Sequence, residues 1–322
     1  MKKLLLGLLL LPLFSQTLMN YELVSFTCNG SNSGIFEVFR GRDLTNWTTA
    51  FTTYDCLSVP GPNGVRDPSL TFFNGTFYLI HTNTCTSPYP GYIISWSHST
   101  DAVTWANHTQ LDLTAMGIPT ATTSWAPEWI IDPNGSGLAS VHAFLTVSTT
   151  GSSPGAFQVY EIHPTAADFS TWSNAQPITV TGVSSLIDVF PIYRSGTYYL
   201  WYKLQDGSCN IQYASSSTLL GPYTNVKTGN WAGFTNSGCV EGPALILKPN
   251  GTWRLFLDLD QNQICSGQIN YSESADNWAT WTAIAPINTP SQAKHGTVLN
   301  LGIAEASSIR GKAALRGNGA IR

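Results

Sequence analysis

Short apolar runs rich in β-branched and aromatic residues, each broken by a tight polar turn, recur along this chain. Ser69–Phe73 and Thr76–Ile80 flank Asn74 and Gly75. Phe190–Tyr193 and Thr197–Tyr202 flank Arg194–Gly196, and Ala244–Leu247 and Thr252–Leu257 flank Pro249–Gly251. A looser copy places Trp129–Ile131 and Val141–Thr146 around Asp132–Gly137. Asn and Gly tolerate positive φ, so each copy predicts a strand, a tight turn and a strand. A third strand follows at a distance, at Tyr92–Trp96, Phe157–Tyr160, Ile211–Tyr213 and Gln268–Tyr271. Most of these lead into a small polar stretch with an Asp and then a Trp: Asp101 with Trp105, Asp168 with Trp172, and Asp276 with Trp278 or Trp281. The mature chain carries no apolar pattern of helical period.

The hairpin units number four, and the two ends of the chain supply a fifth. Phe36–Phe39, followed by Asp43 and Trp47, reads as the outer part of a unit whose inner strand is missing, and His295–Leu299 is the strand that completes it. Units of about 50–60 residues fit four strands plus loops. The expectation is an all-β protein, a five-bladed β-propeller closed by pairing the N- and C-terminal strands in the last blade, which removes the open edge of the array. The alternative is a β-sandwich or β-helix with accidental spacing. The propeller accounts for residues 21–302 as a single domain. The Ala-, Gly- and Arg-containing tail 303–322 continues no blade pattern and is expected to be disordered.

Composition narrows the setting. Of 322 residues, 11% are charged and the net charge is −4, with no basic run, which argues against a nucleic-acid partner. Met1-Lys2-Lys3 followed by the apolar Leu4–Phe14 reads as a secretion signal within residues 1–20, too short to span a bilayer. No other segment could span a membrane, so a secreted, extracellular monomer is expected. The 6 cysteines suit disulfides in an exported chain, with local pairings expected for Cys56 with Cys85 and among Cys209, Cys239 and Cys265. No Cys-x-x-Cys pair occurs, which argues against a zinc site. Sequons start at Asn29, Asn46, Asn74, Asn107, Asn134, Asn250 and Asn270, a density that fits a glycoprotein, although Asn74, Asn134 and Asn250 also serve the hairpin turns.

In a chain so poor in charge, a carboxylate recurs near the head of each inner strand: Asp67, Glu128, Asp188 and Glu241, with His295 in the fifth unit. If these share one structural position they face a common axis, where a docked sugar would meet acids from several directions. Glycosidic cleavage needs one protonated carboxyl to release the leaving oxygen and one carboxylate to activate water or to attack. Acids from non-adjacent blades would stand far enough apart to admit a water, which favours inversion. Asp188 lies in the apolar run Leu186–Phe190, where a charge without a function would be costly. Spacing alone leaves the division of labour among the acids open.

Arg66-Asp67-Pro68, Trp125–Glu128, Asp188, Glu241-Gly242-Pro243 and His295–Val298 together resemble glycoside hydrolase family 43, over about residues 34–301. That family consists of five-bladed propellers acting on arabinose- and xylose-containing polymers. The resemblance implies that Asp67 is the general base, Glu241 the general acid, and Asp188 the group that raises the pKa of Glu241 and orients it. It offers Glu128 as a contact to sugar hydroxyls or a loop anchor, and Trp125 as a substrate-stacking wall or core filler. It allows a calcium ion in the central channel, held through water by His295, with no cofactor required. The Asn-Asp-Pro nucleophile motif and the Glu-Cys acid motif of the invertase-like relatives are missing, which argues against fructoside hydrolysis. The expectation is a secreted inverting hydrolase that releases α-L-arabinofuranosyl units from plant cell-wall arabinan or arabinoxylan. The alternatives are β-xylosidase or endo-arabinanase action, or a non-catalytic sugar-binding propeller.

Overall fold

The computed structural model describes residues 21–29, 33–54, 64–83, 91–106, 108–151, 156–260 and 268–301. The expected signal segment, the tail 303–322, Cys56, Cys85, Cys265 and Asn107 lie outside the described residues. The chain opens with β1 (Tyr21–Asn29), β2 (Ser33–Gly41) and β3 (Thr48–Tyr54). The first complete blade is β4 (Val65–Phe73), β5 (Thr76–Asn83), β6 (Ile93–Ser99) and β7 (Thr109–Asp112). The second is β8 (Thr123–Ile131), β9 (Val141–Ser148), β10 (Phe157–Ile162) and β11 (Gln176–Ile178). The third is β12 (Leu186–Arg194), β13 (Thr197–Leu204), β14 (Ile211–Ser216) and β15 (Thr224–Lys227). The fourth is β16 (Cys239–Leu247), β17 (Trp253–Asp260), β18 (Gln268–Ser274) and β19 (Ala285–Pro286), and β20 (Lys294–Asn300) comes last.

These strands form five antiparallel four-stranded sheets arranged as a β-propeller. In the fifth sheet the order is β20, β1, β2, β3, so its inner strand comes from the far end of the chain, with Tyr21 opposite Asn300 and Val24 opposite Thr297. The inner strands β4, β8, β12, β16 and β20 each contact the inner strands of the neighbouring blades. Among the described residues the only helical turns are short 3-10 segments at Gly137–Ser140 and Phe234–Ser237, and no helix is long and apolar enough to cross a membrane.

The core lies between the blades, because each sheet has an apolar face toward each neighbour. The Asp-then-Trp stretches seal these seams. Asp43 Oδ1 accepts hydrogen bonds from the Thr45 and Asn46 amides at 2.7 Å each, and Asp101 Oδ1 accepts from Val103 at 2.8 Å and Thr104 at 2.6 Å. Each turn folds the chain back and drops the following indole inward. Trp47 lies in one apolar cluster with Phe39 and Phe256, Trp105 packs on Phe36 in a cluster that includes Leu70, and Trp278 packs on Trp201 and Trp253, so each indole belongs to a cluster that spans adjacent blades. Arg194 covers the outer face of Trp278 at 3.8 Å from the ring centroid, a cation–π contact.

Cys209 and Cys239 form a disulfide that ties the β13–β14 connection of the third blade to the start of β16, within the cluster where local pairing was expected. The sequons differ in accessibility. Asn270 is buried and its Nδ2 donates to the Gln268 carbonyl at 2.6 Å, so it is not placed to carry a glycan in the folded chain. Asn74 and Asn250 sit exposed in hairpin turns.

Candidate active site

Every inner strand breaks its ladder at one equivalent point. The register of β4 slips between Arg66 and Ser69, that of β8 between Trp125 and Glu128, that of β12 between Ile187 and Phe190, and that of β16 between Glu241 and Ala244. β20 slips against β1 between Ser25 and Phe26, across His295. At each bulge one residue takes positive φ: Asp67 (47°), Ala126 (47°), Asp188 (55°), Gly242 (59°) and His295 (29°). Such bulges re-aim a side chain out of the pleat, and non-glycine residues hold this conformation at a cost of about 1–3 kcal/mol each. Four of these five residues are not glycine, so the strain is retained where it directs side chains to the axis.

The bulges correct one expectation. The four carboxylates do not share a structural position. Asp67 and Asp188 occupy the bulge itself, together with His295. Glu241 stands one residue before its bulge glycine, and Glu128 two residues after Ala126. A side chain alternates faces along a strand, so the offset of one residue gives Glu241 a different orientation from the two aspartates.

Asp67, Asp188 and Glu241 nevertheless converge around His295. His295 Nδ1 lies 3.5 Å from Asp67 Oδ1. Asp188 Oδ2 accepts the Gly242 amide at 3.1 Å, which fastens it beside Glu241. A Cβ on Gly242 would meet the His295 ring at 3.0 Å, so only glycine lets that ring sit against the Glu241–Gly242 peptide. Gly296 meets a similar demand, since a Cβ there would overlap the Val24 carbonyl oxygen.

The charges are matched locally. Burial alone would lower the pKa of His295, but the carboxylates of Asp188, Asp67, Glu241 and Asp258 outweigh it and raise the pKa. Burial raises Asp188 to about 6, with Glu241 adding to the rise and His295 opposing it. Burial would raise Glu241 too, but the charge and hydrogen bond of Lys203, with Lys294 and His295 behind it, hold it below the ordinary carboxylate value. Lys203 Nζ is 2.8 Å from Glu241 Oε2, and Lys294 Nζ lies 3.9 Å from Glu241 Oε1 and 3.3 Å from Asp258 Oδ2. The resemblance implied a raised Glu241. Of the two, the raised group in the free protein is Asp188, because burial dominates there whereas Lys203 reaches Glu241.

The remaining expected residues divide. Trp125 is half-buried and stacks on Phe157, with centroids 4.5 Å apart. Glu128 is buried, and its Oε2 accepts from Thr297 Oγ1 at 2.8 Å, a link between the second blade and β20. A calcium ion needs about six to eight oxygen ligands. His295 offers nitrogen, its Nδ1 already faces Asp67, and His295, Lys203 and Lys294 supply positive charge among the carboxylates. The protein's own donors around His295 therefore do not by themselves form such a shell.

Sequence reasoning missed the polar residues that the second strands contribute. The residues opposite the pre-bulge positions are Thr82, Thr146, Lys203 and Asp258. Thr82 Oγ1 donates to Asp67 Oδ2 at 2.8 Å and accepts the Ala126 amide at 2.9 Å, and Thr146 Oγ1 donates to the Trp125 carbonyl at 3.1 Å. The signal was polar residues near the end of each otherwise apolar second strand, as in Thr197–Leu204, where Lys203 is the only charge.

Comparison with known proteins agrees with this architecture. A family model described as "Probable glycosyl hydrolase domain", of the glycosyl hydrolase 43-related type, matches residues 16–307. An endo-1,4-β-xylanase from Bacteroides thetaiotaomicron superposes with a TM-score of 0.58 at 16% identity, over 88% of this chain and 94% of that one. A xylan β-1,4-xylosidase from Bacillus halodurans gives 0.55 at 16% identity, over 88% of this chain and 58% of the larger enzyme. At these identities the likeness is one of fold. A search of curated proteins gives no match. With the family model spanning all five blades, the chain belongs to the glycosyl hydrolases related to glycoside hydrolase family 43.

Proposed function

We propose that this protein is an inverting glycoside hydrolase that releases α-L-arabinofuranosyl units from plant cell-wall arabinan or arabinoxylan. The observation that carries the reading is the meeting of Asp67, Asp188 and Glu241, from three blades, around His295. Asp67 is the general base. It takes a proton from the water that attacks the anomeric carbon, and Thr82 holds its other oxygen. Glu241 is the general acid and gives a proton to the departing glycosidic oxygen. The β20 strand with His295 stands between the Asp67 and Glu241 blades, which leaves room for sugar and water between base and acid, as inversion requires.

Glu241 must be protonated to act as the acid, and Lys203 opposes this in the free protein. A sugar oxygen arriving between Lys203 Nζ and Glu241 Oε2 replaces the ion pair with a neutral contact, and burial then favours the protonated form. Asp188 keeps the peptide of Gly242, and so Glu241, in place. The face of the half-buried Trp125 turned away from Phe157 is suited to stacking on a sugar ring. The basic and apolar residues 1–14 and the Cys209–Cys239 bridge favour an exported enzyme.

A second reading, hydrolysis of xylosyl linkages, is favoured by the fold likeness to an endo-1,4-β-xylanase and a xylan β-1,4-xylosidase. The experiment that separates them is hydrolysis of an aryl α-L-arabinofuranoside against an aryl β-D-xyloside. Faster release from the arabinofuranoside supports the first reading and the reverse supports the second. Cleavage of neither, with retained binding to arabinoxylan, overturns both in favour of a sugar-binding propeller.

A further inference from the structure

Away from the axis, the second blade gathers two histidines on one buried carboxylate. His142 Nδ1 lies 2.6 Å and His163 Nδ1 2.9 Å from the same atom, Glu161 Oε1. The Glu161 side chain is 1% exposed, whereas those of His142 and His163 are 14% and 36% exposed, so the cluster opens to solvent from the histidine side. The register that pairs Ile162 with Ala143 brings His163 level with His142, and Glu161 shares a face with His163 two residues away. His142 follows Ile130 across the ladder, whereas Thr146 lies opposite Trp125 beside the bulge. The cluster therefore sits at the hairpin end of β8 and β9, the opposite end from the candidate active site.

The hydrogen-bond arithmetic of His142 is unusual. Its Nε2 faces the Ala139 carbonyl at 3.2 Å, and a carbonyl only accepts, so this nitrogen carries hydrogen. His142 Nδ1 then faces Glu161 Oε1 at 2.6 Å, a contact that needs a proton or a metal cation between the two atoms. A ring nitrogen held by a backbone carbonyl while the other faces a carboxylate is the arrangement that orients metal-binding histidines. The three candidate ligand atoms all lie within 4.8 Å of one another. In a tetrahedral zinc site with bonds of about 2.0–2.1 Å the ligands stand about 3.3 Å apart, so both rings need retreat only by about half an ångström.

We propose that His142, Glu161 and His163 bind a divalent zinc-class cation, with water at the fourth position. Two imidazoles and one carboxylate suit zinc over calcium or magnesium, which prefer all-oxygen shells. The ion would clamp β9 to β10 and to the turn at Gly137–Ser140. The expectation against zinc drawn from cysteine spacing does not reach this site, whose ligands are histidine and glutamate on paired strands.

The test is isothermal titration of untagged, EDTA-treated full-length protein with zinc chloride, with calcium chloride as control. The expected result is one zinc per chain, affinity at least about tenfold weaker in Glu161→Gln, and loss of that zinc in His142→Ala/His163→Ala, while calcium gives no heat dependent on these residues. Because His163 is the most exposed of the three, His163→Gln alone repeats the test should the double variant fail to fold. Circular dichroism without zinc checks that the variants are folded. Absence of zinc uptake by the wild type, or uptake unchanged in the folded variants, overturns the proposal and leaves a protonated His142 paired with Glu161.

Discussion

Lys203 Nζ sits 2.8 Å from Glu241 Oε2, joining the second strand of the third blade to the first strand of the fourth. The ion pair holds the candidate proton donor in its charged form. A general acid works only while protonated, so kcat/KM falls as pH rises through its pKa. Lys203→Met removes the largest of the influences that lower the Glu241 pKa. The high-pH limb of the kcat/KM profile is then expected to move to higher pH. A limb that stays where the wild type has it would separate Glu241 from the acid role.

Asp67→Asn is expected to lower kcat by about 10²–10⁴-fold, the usual worth of a positioned general base, with little change in substrate binding. Steady-state kinetics with calorimetric binding of an unhydrolysed oligosaccharide measures both. A variant that keeps near-normal kcat would remove Asp67 from the chemistry.

Glu241→Gln is expected to slow hydrolysis of natural glycosides far more than that of aryl glycosides with acidic leaving groups, which depart without protonation. Comparing kcat/KM across a series of substituted phenols measures this, and a uniform loss across the series would contradict the assignment.

These roles were legible only in part from sequence. Asp67 and Asp188 were visible because each stands at the bulge of an inner strand whose hairpin is marked by an Asn-Gly or Ser-Gly turn. The shared position assigned to Glu128 and Glu241 was not correct, since a bulge shifts register by a residue and spacing of about 60 residues does not resolve that shift. Lys203, Asp258 and Thr82 went unnoticed because their partners are fixed by strand pairing and by the approach of neighbouring blades. The Asp-then-Trp stretches were visible as a repeat, but their work at the seams between blades emerged only from the packing of Trp47, Trp105 and Trp278.

Glu22 gives a stability prediction independent of catalysis. Burial lifts its pKa to about 7 although Arg40 lies 2.9 Å away, and its Oε1 has no hydrogen-bond partner. A pKa raised by folding gives stability that is full below about pH 4.5 and is lost as pH climbs to about 7, at most about 3 kcal/mol. Glu22→Gln is expected to flatten the fall of Tm across that window. Thermal melts of both proteins from pH 4.5 to 8 measure it, and parallel curves would contradict the buried, raised carboxyl.

The central claim is that the acids around His295 form a hydrolytic centre that inverts configuration. Proton NMR of the first products released from arabinan and arabinoxylan, recorded before mutarotation, tests it most directly. The account predicts free arabinose appearing first as the β-anomer with wild-type protein, and release at least about a hundredfold slower with Asp67→Asn. First appearance of the α-anomer, or equal release by the variant, would contradict it.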